Sequence, residues 1–393
     1  MSQTLEITPA VGGRKLDWKA MLSKLGPFIG LIFVVVLFFF LAIHHSGRNT
    51  FLTNTNIQIM LLQTAVVATG ALGMTIIIVS GGIDLSVGSV VALSTIIIAN
   101  MLNAGAWPIV AAVGGMAVGV ASGFVTGNLI VGQIGRVLTA ILAITIAAWF
   151  HSLGWAGWIV IASTAAVFAV GLGSNELLLK NRDFIKQLHL IPFIATLGMM
   201  GALRGVAHWQ GDNGTIPVSG DMWLKRLLVI LGPHEQWQIF PPGVWLMLIL
   251  AALTSFVLRY TKFGRHVFAI GSNEQTARLC GVNVERTKLL IYMIGVGFAG
   301  IAGVLEFSFL GMGDSTAAQG MELNIIAAVV IGGASLNGGE GSILGSIIGA
   351  LIMTVVANGC NQVELPNYWQ ELVTGGIIIV AVLLDRLRHR QTS

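Results

Sequence analysis

GRHVFAIGSNEQTARLCGVNVERTK, Gly264 to Lys288, is a compact polar island between two long hydrophobic halves of a 393-residue chain. It is rich in cations and reads as two short helix starts. Ser272-x-x-Gln275 has the capping-box pattern, in which a hydroxyl and a side-chain amide each satisfy a free backbone amide at a helix start. The spacing predicts a short helix, about two turns long, with Gly281 stopping it and Asn283 capping the next. Asn273, Glu274, Gln275, Thr276, Ala277, Arg278, Leu279 and Val282 then lie on this exposed helix or at its exit. An ordinary basic loop is the plainer reading of the spacing. The functional one is a lever, joined rigidly to the spans on either side, on which a soluble partner pushes.

Outward from this island the chain is 55% hydrophobic and only 10% charged, against about 25% charged in a typical soluble domain. That composition reads as an all-α polytopic integral membrane protein. The formal charge of +4 would suggest nucleic acid in a soluble chain. Here the cations lie almost entirely between spans, where they orient the chain in the bilayer, and no nucleic-acid partner is expected. Cys280 and Cys360 are too few for a disulfide framework or a four-cysteine metal site.

Residues 1–24 are polar and precede an uncharged run from Gly26 to Ile43. Its length nearly crosses a bilayer core, and it ends in His44 and His45 rather than a small-residue cleavage site. It is read as a retained first span, and the two histidines, lacking a third ligand, as interfacial. The second and third spans fall within Asn56 to Ser80 and Leu85 to Leu102, joined by SGGIDLSVGS, where Gly81 and Gly82 permit a sharp break and Asp84 can cap the third helix. A fourth, Trp107 to Gly132, carries Gly114, Gly115, Gly119, Gly123 and Gly127, which let helices approach closely in lipid.

Val137 to Asn175 has no charge and is taken as a hairpin of two spans; one tilted span is the alternative. A span from Leu190 to His208 follows, then a polar segment in which WLKRLLVILGP (Trp223 to Pro233) could be an interfacial amphipathic helix. Further spans are Val244 to Leu258, Leu289 to Leu310, Leu323 to Leu336, Ser342 to Ala357 and Trp369 to Leu384, with a polar break at Gly311 to Glu322. The total is about twelve spans, with both termini on one side. Trp107, Trp155, Trp158, Trp209, Trp223, Trp237, Trp245 and Trp369 mostly fall near span ends, as interfacial anchors do.

With the amino terminus inside, the inner cations are Arg14, Lys15, Lys19, Lys24, Arg136, Lys180, Arg182, Lys186, Arg259, Lys262, Arg265, Arg278, Arg286, Lys288, Arg386, Arg388 and Arg390. Arg48, Lys225 and Arg226 are outside and Arg204 lies within a span. The asymmetry supports this orientation and puts Gly264 to Lys288 in the cytoplasm.

Two segments resemble one another: an apolar helix followed by SGGIDLSVGS, and an apolar helix followed by IGGASLNGGEGS (Ile331 to Ser342). Glycine-broken hydrophobic segments in both halves point to a translocation path, with Gly81, Gly82, Asp84, Gly332, Gly333, Gly338 and Gly339 as gate or hinge positions. Glycine in ordinary tight turns is the competing explanation. Among ionisable groups in or near spans, Asp84 suits capping better than proton relay. Arg204 and Glu306 suit an ion pair or an outer-interface position as well as a pathway. There is no GxxxxGK[ST] phosphate loop, no HExxH and no credible nucleophile with a base, so enzymatic chemistry has little support.

GGIDLSVGS, IPFIATLGMMGALRG (Ile191 to Gly205), the Gly264 to Lys288 stretch and AAVVIGGASLNGGEGSILGSIIGAL (Ala327 to Leu351), in that order, resemble the permease subunit of bacterial ABC sugar importers of the ribose, xylose and galactose type. The resemblance implies a ten-helix core in the inner membrane, with both termini cytoplasmic, a cytoplasmic ATPase, a periplasmic sugar-binding protein and a second permease copy. It implies that Ser272 to Val282 is the coupling helix entering a groove on the ATPase. ATP and magnesium would sit on that partner, with no cofactor on this chain. The implied division is a cytoplasmic segment 1–24, a permease domain 25–385 and a tail 386–393. Within the domain lie an inserted hairpin and linker 136–189, a periplasmic segment 210–242 and the coupling region 264–288.

The segment from Arg136 to His189 departs from the ribose-type pattern, and the length is closer to xylose-type permeases. A pentose such as xylose or ribose is the expected cargo, moved by alternating access. Asn128, Thr196, Arg204, Asn324 and Ser335 are pathway candidates by their position near the motifs. The rival is an ion-coupled secondary transporter using Asp84 or Glu306 as carrier; a channel is a weaker third reading.

Overall fold

The structure is a computed structural model, described here for residues 18–132, 190–220, 222–232 and 238–390. The anticipated hairpin at Val137 to Asn175 lies outside the described residues. The elements in chain order are α1 (Trp18–Ser46), α2 (Asn54–Val79), α3 (Val87–Asn103), α4 (Pro108–Val131), α5 (Pro192–Gln210), β1 (Thr215–Pro217), a 3-10 turn (Trp223–Arg226), α6 (Pro242–Tyr260), α7 (Lys262–Ser272), α8 (Glu274–Leu279), α9 (Val284–Leu310), β2 (Met312–Asp314), α10 (Met321–Ile331), α11 (Ile343–Gln362) and α12 (Asn367–Arg390). It is an all-α polytopic membrane protein. Among the described residues, six helices are long and apolar enough to cross a bilayer, lying in α1, α2, α4, α6, α9 and α11.

α2 is buried over most of its length, and α9 packs along α4, α2 and α3. The glycines of α4 serve the close approach expected of them. A methyl group at Gly119 would lie 2.8 Å from the Gly300 backbone nitrogen, and one at Gly127 would lie 2.9 Å from Leu289. α2 meets α9 in the same manner, with Gly73 against the backbone of Gly295 and the Cβ of Phe298. In lipid no hydrophobic force distinguishes a neighbouring helix from an acyl chain, so such packing and interhelical hydrogen bonds decide who pairs with whom.

Hydrogen bonds supply the second element along the α2–α11 seam. Asn56 and Asn358 exchange side-chain bonds at 2.9 Å in both directions, with Gln362 donating to Asn56 Oδ1 at 3.0 Å. The Thr64 and Thr354 hydroxyls meet at 2.6 Å, and Thr75 and Ser346 at 2.7 Å. The rising numbers on α2 against falling numbers on α11 make the pair antiparallel and lock its register.

Several expectations need correction. Of the Trp223 to Pro233 segment, the described residues 223–232 do not form an interfacial helix. They make one 3-10 turn, because Leu224 and Leu228 are buried against the protein and the backbone is engaged there: Leu228 N–H donates to Ser308 Oγ at 2.9 Å, and Gly243 N–H to the Leu227 carbonyl at 2.7 Å. The Leu323 to Leu336 span is an eleven-residue helix, α10, about 16 Å long and half a bilayer deep. The polar segment before it runs down the side of α3. Gly313 lies against Thr95 and Ala99, and Ala318 and Glu322 lie against Gly88.

The α2–α3 connection also re-enters. A methyl at Gly70 would touch the side chains of both Val87 and Ile325, and Gly70 sits nine residues before the end of α2, about 14 Å along its axis. Both α3 and α10 therefore begin well inside the span of α2. Trp107, Trp209, Trp223, Trp245 and Trp369 are exposed near helix ends, as interfacial anchors should be.

Replacing Gly73 by valine is expected to force α2 from α9 and cost about 1–3 kcal/mol or more. Gly198→Ala, which meets nothing within 4 Å among the described residues, should leave melting in detergent nearly unchanged. Equal melting temperatures for the two variants would contradict this packing.

Candidate functional site

The Gly264 to Lys288 stretch folds as three consecutive helical pieces. Thr261 caps α7 by accepting from Gly264 N–H at 3.3 Å. The cap of the short helix is Asn273, one residue beyond the Ser272 of the expected capping box. Ser272 is the last residue of α7, whereas Asn273 is extended and its Oδ1 accepts from Thr276 N–H at 2.9 Å. α8 then runs for six residues, Glu274–Leu279. Gly281, at φ +84°, turns the chain, and Asn283 caps α9 through Arg286 N–H at 3.0 Å, both as expected.

Ala277 is buried against Ile270 and Val284, with Val282 alongside, so α8 is fastened to the end of α7 and the start of α9. Its outer face is polar apart from Leu279, which is 88% exposed. Glu274 pairs with Lys288 at 2.6 Å and with Arg278 at 3.8 Å; Arg278 also reaches Glu285 at 3.8 Å. Gln275 and Thr276 are exposed beside them.

Both glycine breaks converge on the end of α7. Gly339 N–H donates to the Val79 carbonyl at 2.8 Å, joining the second break to the end of α2. A methyl at Gly271 would strike that same carbonyl and lie 2.6 Å from Gly339 N; one at Gly338 would lie 2.8 Å from the Gly271 carbonyl and 2.9 Å from Gly81. Three segments distant in sequence thus meet backbone to backbone. Gly332 packs in the same way on Gly345 and Ser346 at the start of α11. Ser335 is buried in the turn, where its hydroxyl accepts from Asn337 N–H at 3.2 Å.

Beyond the junction lies a buried polar zone. Asp84 is fully buried, and its Oδ1 accepts from both the backbone N–H and the hydroxyl of Ser86 at 2.6 Å. It organises the turn before α3, whose cap position is Ser86, and does not itself bond the helix amides. The second oxygen of Asp84, the Ser89 hydroxyl, the Tyr292 hydroxyl and one oxygen of Glu322 are all buried with no hydrogen-bond partner among the described residues. Tyr292 stands directly against Gly82, and Glu322 against Gly88.

Of the pathway candidates, Thr196 is brought here, its hydroxyl 3.5 Å from the Ile83 carbonyl. Arg204, on the same helix α5, holds the descending segment by donating to the carbonyls of Ser315 at 3.1 Å and Ala317 at 2.8 Å. Those carbonyls, rather than Glu306, are its partners, and the two form no ion pair. Asn324 is half-buried on the first turn of α10. Asn128 stands apart on α4, donating to the Phe124 carbonyl of its own helix at 2.7 Å. Tyr292, Gly271 and Glu322 were not among the predicted site residues. A lone phenol in the Leu289 to Leu310 span, which otherwise carries only Glu306 as an ionisable group, was the available signal for the first.

The family described as "Branched-chain amino acid transport system / permease component" matches residues 56–382. The Ribose import permease protein RbsC of Escherichia coli (strain K12) is 32% identical over 382 residues, covering 97% of this chain and 99% of that protein. That of Bacillus subtilis (strain 168) is 32% identical over 381 residues, covering 95% and 96%. The Xylose transport system permease protein XylH of Haemophilus influenzae is 33% identical over 369 residues, covering 91% and 95%. No solved structure matches. On the extent of these matches, the chain belongs to the permease family of the branched-chain amino acid transport system type.

Proposed function

We propose that this chain is the membrane-spanning permease of an ATP-driven, binding-protein-dependent monosaccharide importer of the inner membrane, with ribose or xylose as its class of cargo. The similarity to named ribose and xylose permeases supports the transport class, and their nearly equal identities favour neither pentose. The observation that carries the mechanism is the backbone junction of Val79, Gly271 and Gly339. A push on α8 moves α7, and α7 abuts both breaks that lead to the buried polar zone. In this reading α8 docks on a cytoplasmic ATPase that holds ATP and magnesium, a periplasmic protein delivers the sugar, and a second permease copy completes the path.

The residues carrying motion are Ser272 to Leu279 with Gly281 and Val282. Those that yield are Gly81, Gly82, Gly332, Gly333, Gly338 and Gly339. Thr196, Arg204, Asn324 and Ser335 stand on or beside the elements that would move, and the external protein supplies most of the affinity. The fully buried oxygen of Asp84, without a hydrogen-bond partner among the described residues, favours an ion-coupled carrier instead. Reconstitution separates the two: vesicles holding only this chain should be inert, and should import pentose once the ATPase, ATP and binding protein are added. Uptake by the chain alone down a proton or sodium gradient would establish the carrier.

Three variants test the lever and the gates. Exchanging the charges of Glu274 and Arg278 (E274R with R278E) should leave ATP hydrolysis running while uptake falls at least tenfold. Melting should change little, since exposed ion pairs contribute about 0–1 kcal/mol; normal coupling would remove the docking role. Gly82→Val collides with Tyr292, and Gly333→Val strains a backbone at φ +93°. Each should abolish uptake in protein that still inserts, and unchanged transport would show that neither break moves.

A further inference from the structure

We infer that the groove where α6, α7 and the start of α11 meet is a binding site for one anionic phospholipid of the leaflet on the α8 side. A cavity of about 510 Å³ opens there, and its charged lining is Arg259 at the end of α6 and Arg265 on α7. Gly341, Ser342 and Ile343 form another wall, which is the amino-terminal end of a twenty-residue helix. Two guanidinium groups and the positive end of a helix dipole suit a phosphate. No carboxylate among the described residues pairs with either arginine; Glu274 and Glu285 on the neighbouring helices pair with Arg278 and Lys288 instead. Glu340, next to Gly341 in sequence, is exposed and outside the lining. Arg259 also lies 5.6 Å from the ring centre of Tyr260.

The surface leading away from the cavity identifies the occupant as a lipid rather than a free anion. Leu248, Ile249, Leu253, Phe256 and Tyr260 are exposed along α6. Leu248 lies on the same face of α6 as Arg259, about three turns away, and Ile249, Leu253, Phe256 and Tyr260 form the adjoining apolar stripe. From Leu248 to Arg259 is eleven residues of helix, about 16 Å, which matches the hydrocarbon depth of one leaflet. An acyl chain on this exposed apolar surface brings its phosphate beside Arg259, at the cavity that Arg265 also lines. Because Phe268 and Arg265 of α7 line the same cavity, the lipid would bear on the helix that feeds α8.

The test uses the full-length permease in phosphatidylcholine nanodiscs doped with phosphatidylglycerol, with retained lipid counted by mass spectrometry of the intact protein. Wild type should keep one phosphatidylglycerol. The pair R259Q with R265Q should hold it roughly thirtyfold more weakly, taking two arginines at the usual strength of a basic residue near an anionic surface. The pair R259K with R265K, which keeps the charge, should retain most of the lipid, and R286Q, outside the cavity, all of it. Equal retention in the glutamine pair overturns the site. Displacement of the lipid by millimolar inorganic phosphate would make it a free-anion site. Loss of ATPase association with lipid retention unchanged would assign the arginines to a protein partner. Neither readout depends on which sugar is carried.

Discussion

A backbone hydrogen bond from Gly339 N–H to the carbonyl of Val79 fastens the second glycine break to the end of α2, and the arrangement around it depends on that contact. Every polar backbone group in a bilayer must find a partner within the protein. The carbonyls at a buried helix end therefore have to be handed to another segment. Here the end of α2 hands one to the second break, and Gly271 lets the end of α7 press against the same peptide. Side chains at these positions would separate the segments by several ångströms. The absence of Cβ atoms is what allows three strangers in sequence to share one contact.

That constraint explains why the polar zone lies where it does. Since α3 and α10 begin part way along α2, the residues leading into them sit deep in the protein. Asp84 spends one oxygen on Ser86, and the other has no partner among the described residues. Buried polar groups left unmatched are costly in an apolar medium, and their concentration here, beside Tyr292 and Glu322, sets this zone apart from the apolar packing around it. α5 closes the zone by touching both re-entrant segments, the first through Thr196 and the second through Arg204. α5 is thus a brace between two half-helices, which alone could not fix their own depth.

Much of this was legible in the residues. Runs of apolar sequence located the spans because length and charge exclusion are dictated by the bilayer. Gly281 and Asn283 announced their turn and cap, since few other residues adopt those roles. Local patterns failed where tertiary context chose between near-equivalent neighbours. Ser272 and Asn273 are both good caps, and packing of α7 against α2 and the second break carried its helix one residue further. Depth was the larger omission. Hydropathy sees Gly311 to Glu322 as a polar break, but nothing local tells whether such a break stays at the surface or descends beside α3. Arg204 reads as a costly charge in a span until the carbonyls it serves, more than a hundred residues away, are seen.

The amide pair at the head of α2 has a consequence for biogenesis. Asn56 and its partner Asn358 are separated by 302 residues, so at about 5–20 residues per second of synthesis the first waits roughly 15–60 s for the second. Throughout that interval the Asn56 carboxamide has the nearby Phe51 carbonyl as a partner for its amino group, while its oxygen awaits Asn358 and Gln362. The amino-terminal spans must therefore be sheltered while the ribosome finishes the chain, and the last helices to emerge close the assembly that the first ones started.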